Sequence, residues 1–568
     1  MKLLNWILAG AAALSLSACS SEDAPNPGPG SETTTEGIYS SIYFRMPEAR
    51  SEASEGEEEG KDSENRVGSI VVILANTENK FVTYAMSDNP RIENGVHTIV
   101  FEDKEVLYNE AGHVLNVYAY CNVSEAFRAK IAALTTGDDF LDIAFEEADP
   151  SSIWAKNGFL MASIGEVTTV LPDKGTLETY NSPSHAFPLG NVDVVRLATR
   201  YDFRDAAPDP DKALTYPVYN EQLLPDGVTI DGRQIPVKGA DGTVTLQPST
   251  KATDDQLAEI HQADVQFTRV ALFNLNKNFY YLPRTVDFTP ATPEVEGQAP
   301  TENGTYGTTV NYVPGYPLFD TEGFVVTPDT KSYLLPLPAA IDPLNPEASG
   351  LTFDSLAGIL GGEEDNDNTW NDTNKPEWQK FHIWRYGTEN TWKQGLQTNA
   401  NTTGFVFEAK IVADAKAADD KTPMYIFNNV LYVNAQAIYA ALLEQPASTL
   451  ATAFKACFDV TGTGADVTVA EKADADFEAN GFQRYVANAA GDFLCYYFYF
   501  NKHNEDNMPQ YVSNMEFANV RNNIYKLYIE KVGRIGTFKP TDVDDWDTYF
   551  TISVTVKDWL VRVNGIKF

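Results

Sequence analysis

The chain has 568 residues, a formal net charge of −38 and 12% aromatic residues. That length leaves room for roughly two to four domains with ample core. The charge excludes nucleic acid and anionic membrane surfaces as electrostatic partners, since both are polyanions; its simplest use is solubility.

Lys2, an apolar run from Leu3 through Leu16 and small residues before Cys19 form a secretory signal over 1–18, too short to span a bilayer. Leu16-Ser17-Ala18-Cys19 is similar to the bacterial lipobox, which implies cleavage before Cys19 and its acylation, palmitate included. Ser20 stands where an inner-membrane retention signal would have Asp, and Glu22 and Asp23 follow, which by analogy directs the precursor to the outer membrane and the cell surface. Residues 20–36 read as a disordered tether. Ile38, Ile42, Tyr43, Phe44 and Met46 then make a strand that stops at Pro47. The expectation is a lipidated propeptide over 19–50 with a first strand that can be cut away, the cut falling between Arg50 and Ser51 in the extended, mobile stretch from Pro47 to Asn65. Residues 51–66 (SEASEGEEEGKDSENR) are acidic and low in complexity, and are expected to stay disordered.

Structure resumes with the β-branched run Val67–Ala75 and continues through strands at His97–Phe101, Val114–Cys121, Gly158–Ile164 and Val167–Leu171, with a helix at Glu125–Leu134. This is a first sandwich over 67–188. Val192–Phe203 alternates strongly and opens a second over 189–557, whose strands fall at Val265–Leu275, Phe279–Leu282, Tyr333–Leu337, Gly404–Val412, Met424–Val433, Phe493–Phe500 and Asn523–Lys531. A helix is expected at Ala435–Glu444, and long polar connections at 205–262 and 285–330. In the closing stretch Ile552, Val554 and Val556 alternate cleanly, Lys557-Asp558 interrupts, and Trp559, Val561, Val563, Ile566 and Phe568 resume. An interruption that resets the period marks where a strand leaves one sheet for another. Residues 558–568 are therefore read as a donor strand. The fold class is all-β: two tandem β-sandwich domains with long loops and a few short helices.

Catalytic signatures are missing. His97, His113, His185, His261, His382 and His503 never take zincin spacing, Ser163 lacks the first glycine of a nucleophile elbow, and there is no phosphate or dinucleotide loop. The expectation is a non-enzyme without metal or cofactor. Asp365, Asp367 and Thr369 mimic a calcium loop, but Trp370 stands where glycine is required, so a solvated acidic turn is expected. His503 and Asp506 read as hairpin-tip residues. Trp370, Trp378, Trp384 and Trp392 are candidates for a sugar platform. Beyond Cys19 remain Cys121, Cys457 and Cys495, an odd number, with Cys457 and Cys495 a candidate bridge in an oxidising compartment.

Met515–Leu527 (MEFANVRNNIYKL) and Val554–Phe568 (VTVKDWLVRVNGIKF) resemble the end of the minor-fimbrium major-subunit family, type V pilus fimbrillins of Gram-negative anaerobes. Val117–Asn122, Gly158–Ala162, Arg196–Arg200 and Val270–Tyr281 extend the resemblance over nearly the whole chain. It implies transthyretin-like Greek-key sandwiches, lipoprotein export, Arg-specific removal of the first strand and polymerisation by donor-strand exchange. Implied partners are further copies of the chain, accessory fimbrial subunits and a host or bacterial surface receptor. The acidic insert departs from the family pattern and leaves Arg66 as a second cut site. The rival readings are a monomeric surface lipoprotein that binds glycans, and an anchor or tip subunit of the same fimbrium.

Overall fold

The computed structural model describes residues 36–45, 57–88, 90, 92–93, 96–141, 143–146, 150–155, 158–164, 167–232, 234–238, 244–289, 305–311, 333–365, 380–503, 512, 515–543 and 550–560. The strands that position the functional site are β1 (Ile38–Arg45), β2 (Glu57–Glu59), β3 (Ser69–Ala75), β4 (Phe81–Asp88), β5 (Val96–Phe101), β6 (Val114–Cys121), β7 (Met161–Ser163) and β8 (Phe187–Arg196). They continue with β9 (Ala198–Phe203), β10 (Thr215–Tyr219), β11 (His261–Phe273), β12 (His382–Thr388), β13 (Gly404–Val412), β14 (Leu494–Phe500), β15 (Asn523–Val532) and β16 (Phe550–Leu560).

The first sheet runs β4-β3-β6-β7-β8-β1-β5, with Ile92–Glu93 beyond β5 and Val167–Val170 beside β6. It folds on itself. Phe187 to Asp193 of β8 pair with β1, and Val194 to Arg196 of the same strand pair with β7. Ile42 and Ile99 from one half share an apolar cluster with Val71, Ile73 and Val117 from the other. Two sheet faces close on one core, as a sandwich requires.

The chain changes sandwich at Leu197, whose N–H donates to the Leu160 carbonyl at 3.0 Å. Val192–Phe203, expected as one strand, is thus two: β8 in the first sandwich and β9 in the second. One sheet of the second sandwich is β2-β16-β15-β9-β12, and the other is β10-β11-β13-β14. Tyr201, Phe203, Tyr525 and Leu527 of the former pack with Val265, Phe267, Phe405 and Tyr497 of the latter. The fold is all-β, with short helices between strands.

Several sequence expectations are corrected. Met424–Val433 is a hairpin, Met424–Phe427 and Val430–Tyr432, because Asn428 and Asn429 both take positive φ (47° and 62°) and turn the chain. A second helix, Thr449–Cys457, packs with Ala435–Glu444 in a satellite core around Phe454 and Phe458. The expected loop 205–262 holds β10 and the helix Asp254–Ile260. Cys121, Cys457 and Cys495 are buried free thiols in three different cores, so no Cys457–Cys495 bridge forms. Trp392 is fully buried, and Trp384 is packed into the second core with its indole N–H on Asp354 at 2.8 Å, so neither offers a sugar platform. Trp370, Trp378 and Asp506 lie outside the described residues.

Candidate assembly site

β1 fills an interior slot. It runs parallel to β8 (Ser40 opposite Phe187, Arg45 opposite Asp193) and antiparallel to β5 (Ile38 opposite Phe101, Tyr43 opposite Val96). Ile38, Tyr39, Ser40 and Ile42 are buried, while Tyr43 is 39% exposed. Burying three large apolar side chains contributes about 5–9 kcal/mol gross, and both edges of the strand are hydrogen-bonded. Gly37 precedes it because a Cβ there would stand 2.2 Å from Val100 Cγ1. Without β1, the facing edges of β8 and β5 would present unpaired amides and carbonyls above an apolar floor, which only another strand can satisfy.

The last described strand lies in the other sandwich. β16 pairs antiparallel with β15 from Phe550 to Asp558, the last pair being Asp558 opposite Asn523. The strand does not break at Lys557-Asp558 as the alternation suggested; it continues to Leu560. What carries it on is β2, which runs parallel to it with Glu57, Glu58 and Glu59 opposite Asp558, Trp559 and Leu560. The acidic stretch expected to be disordered therefore supplies an edge strand and, just after it, a helical turn, Asp62–Asn65.

Its order comes from buried charge. Glu58 and Glu64 are 1% and 0% exposed, as against 0% for Arg196, Arg200 and Lys526. Arg200 pairs with Glu58, reaches Glu64 at 3.2 Å, and donates to both oxygens of Asp202 at 2.8 and 2.9 Å. Lys526 lies 2.6 Å from Glu58 and also pairs with Asp365. Arg196 Nε donates to the Glu64 carbonyl at 3.0 Å, and the Tyr386 hydroxyl donates to the Glu64 carboxylate at 2.6 Å. Asp365, expected in a solvated turn, is thus part of this interior network.

Burial opposes ionisation of Glu58, but the charges of Arg200 and Lys526 outweigh it and hold its carboxyl below the usual range. Burial pushes Asp202 up to about 7 and raises Asp365 as well. Among the described residues the network sets Glu58, Glu64, Asp202 and Asp365 against Arg196, Arg200 and Lys526, and burial together with the crowding of like charges favours the protonated forms of Asp202 and Asp365. Glu58, Asp202 and Asp365 converge within 4.8 Å, a spacing that suits a metal ion, yet the Lys526 ammonium already stands among them.

Between β2 and β3 the backbone is held by Asn122. Its Oδ1 accepts from the Gly68 and Ser69 amides at 2.6 and 3.3 Å, and its Nδ2 donates to the carbonyls of Arg66 and Phe159 at 2.8 and 2.6 Å.

Of the residues singled out from the sequence, Trp559 lies in β16, its backbone opposite Glu58. Cys19, Arg50, Ser51, Val561, Val563, Ile566 and Phe568 lie outside the described residues. Sequence reading missed Glu58, Glu64, Arg196, Arg200 and Lys526. The available signal was the presence of Arg196, Arg200 and Lys526 in strands rich in apolar residues, where a buried cation demands a partner.

Residues 492–565 match the family model described as "Major fimbrial subunit protein type IV, Fimbrillin, C-terminal". No curated protein matches the chain. Among solved structures, a candidate cell adhesion protein from Parabacteroides distasonis ATCC 8503 is similar at 12% identity, over 92% of this chain and 99% of that one, with a TM-score of 0.38. A fimbrilin (fimA) from Porphyromonas gingivalis W83 is similar at 11% identity, over 93% and 98%, with a TM-score of 0.35. The tip fimbrial protein Mfa3 from Porphyromonas gingivalis, truncated at its C-terminus, is similar at 10% identity, over 92% and 100%, with a TM-score of 0.29. The family-model match takes in β14, β15 and β16, so it is the C-terminal segment of the chain that is similar to a fimbrillin.

Proposed function

We propose that this chain is a structural subunit of a surface fimbrium, polymerised by removal of β1 and insertion of a strand from another copy into the slot. It is exported as a lipoprotein acylated at Cys19 and held at the outer membrane until an Arg-specific protease cuts after Arg50. Residues 561–568, with Val561, Val563, Ile566 and Phe568 at alternating or near-alternating positions, serve as the donor, and the polymer and its accessory subunits support adhesion. The observation that carries this reading is the place of β1: the first strand among the described residues is an interior strand, paired on both sides, rather than an edge. Losing an interior strand leaves a two-edged vacancy that a donor can fill with a full set of ladder bonds. Head-to-tail donation does not close on itself, so it extends into a fibre.

Electron microscopy of the recombinant chain before and after limited trypsin tests it. Fibres that form only after cleavage, with subunits whose N-terminus reads Ser51-Glu52-Ala53-Ser54, support the reading. A trimmed chain that stays monomeric overturns it.

A further inference from the structure

Trp559 and Leu560 lie past the last rung of the ladder between β16 and β15, which ends at Asp558. Among the described residues the only strand they pair with is β2. A three-residue strand of glutamates has no apolar side chain with which to hold such a position. Its hold lies in the charge beneath it: Glu58 points into the sheet and meets Arg200 and Lys526, and Glu64, six residues on, meets Arg200 and Tyr386. Arg200 sits on β9 and Lys526 on β15, the two strands that follow β16 across the sheet. Arg196, on β8 of the other sandwich, donates to the Glu64 backbone carbonyl and to the Asn65 side-chain oxygen. The stretch 57–65 is thus anchored to both sandwiches at once.

We infer that the basic recess formed by Arg196, Arg200 and Lys526 is a docking site for an acidic strand, occupied in cis by residues 57–65. Through it, β2 clamps the root of the C-terminal segment at Trp559 and Leu560. The inference rests on the proposed assembly only for its use: a donor needs a fixed root if strain on the fibre is to pass into the body of its own subunit. It also bears on maturation. A cut after Arg50 leaves the clamp in the mature subunit, whereas a cut after Arg66 would sever it and leave three buried cations facing two carboxylates, Asp202 and Asp365.

Amide hydrogen exchange on the uncleaved full-length monomer tests the clamp without any need for fibres. In Glu58→Gln, the amides of residues 558–560 should exchange at least tenfold faster than in the wild type, while those of β15 opposite β9 stay protected. Where Glu58→Gln fails to fold, the double variant E58Q/K526M removes the stranded ammonium as well and is read in the same way. Unchanged protection at 558–560 in the folded variant overturns the clamp. Release of 558–560 in the monomer, coupled with absence of fibres after trypsin, leaves the clamp standing and removes the assembly reading. Fibres with unchanged protection do the reverse.

Discussion

At the scale of single residues, the most consequential feature is charge placed where solvent cannot reach it. Removing one partner from such a network costs on the order of 3–5 kcal/mol, because the others keep their desolvation penalty and lose their compensation. None of this was legible locally. Glu58 lies in a window whose composition is that of a disordered segment, and its partner Arg200 is 142 residues away. Nothing in the strands that carry Arg196, Arg200 and Lys526 says what neutralises them. His503 gives the clearest titration. Its half-buried ring approaches the Tyr525 hydroxyl at 3.1 Å, and burial lowers its pKa from the ordinary 6.5 to about 4. A folded-state pKa below the unfolded value means that the unfolded chain takes up a proton that the folded one refuses. The contribution is therefore fully present above pH 6.5 and is lost as pH falls from 6.5 towards 4. One pKa unit is worth about 1.4 kcal/mol, and partial exposure reduces the expected loss to ~1–2 kcal/mol. His503→Gln should flatten that part of the stability profile, measured by urea unfolding at stepped pH. An unchanged slope would show that the imidazole is not the group responsible.

At the scale of elements, strands with strong patterns were legible almost to the residue: Val114–Cys121 and Gly404–Val412 stand where alternation and β-branching placed them. Sheet membership was not. β8 and β9 read as one alternating run because alternation records which side chains face inward, and it does not record which sheet they face. The change at Leu197 depends on Leu160 and on Ala198 accepting from Asn522, contacts far off in the chain. The connection from the acidic turn to β3 shows how such a contact bears on processing. Arg66 is exposed, yet the backbone around it is fixed by three hydrogen bonds to Asn122, which a fourth ties to the Phe159 carbonyl and which itself takes a φ of 59°. A protease needs an extended stretch that is free to move into its cleft; the backbone at Arg66 is extended, but these bonds tie it down. Asn122→Ala should cost about 2–4 kcal/mol, from the lost bonds and a left-handed backbone that alanine tolerates poorly. It should also make Arg66–Val67 sensitive to trypsin under native conditions. Native trypsin cleavage there in the wild type would contradict the protection argued for it.

At the scale of the whole molecule, the first and last described strands serve different sandwiches. β1 completes the first, β16 completes the second, and β2 ties the segment after β1 to the end of β16. This arrangement moves the expected start of the donor. The break in alternation at Lys557-Asp558 suggested that the donor begins at Trp559, but Trp559 and Leu560 pair with β2, so the donor proposed above is taken from Val561 onward. Truncation after Leu560 should therefore leave a folded monomer of undiminished stability that accepts a strand after Arg cleavage and gives none. Truncation after Asp558 should in addition deprive β2 of two of its three partners and loosen the acidic stretch. Replacing Val561 and Val563 with Asp should match the shorter truncation, since each carboxylate entering an apolar slot costs several kcal/mol. The readout is fibre formation after trypsin, alone and with wild-type subunits added, where a chain that accepts but cannot give should cap growing ends and shorten the fibres. Fibres of normal length from the chain ending at Leu560 would place the donor elsewhere. Unfolding of that chain would assign residues 561–568 to its own core.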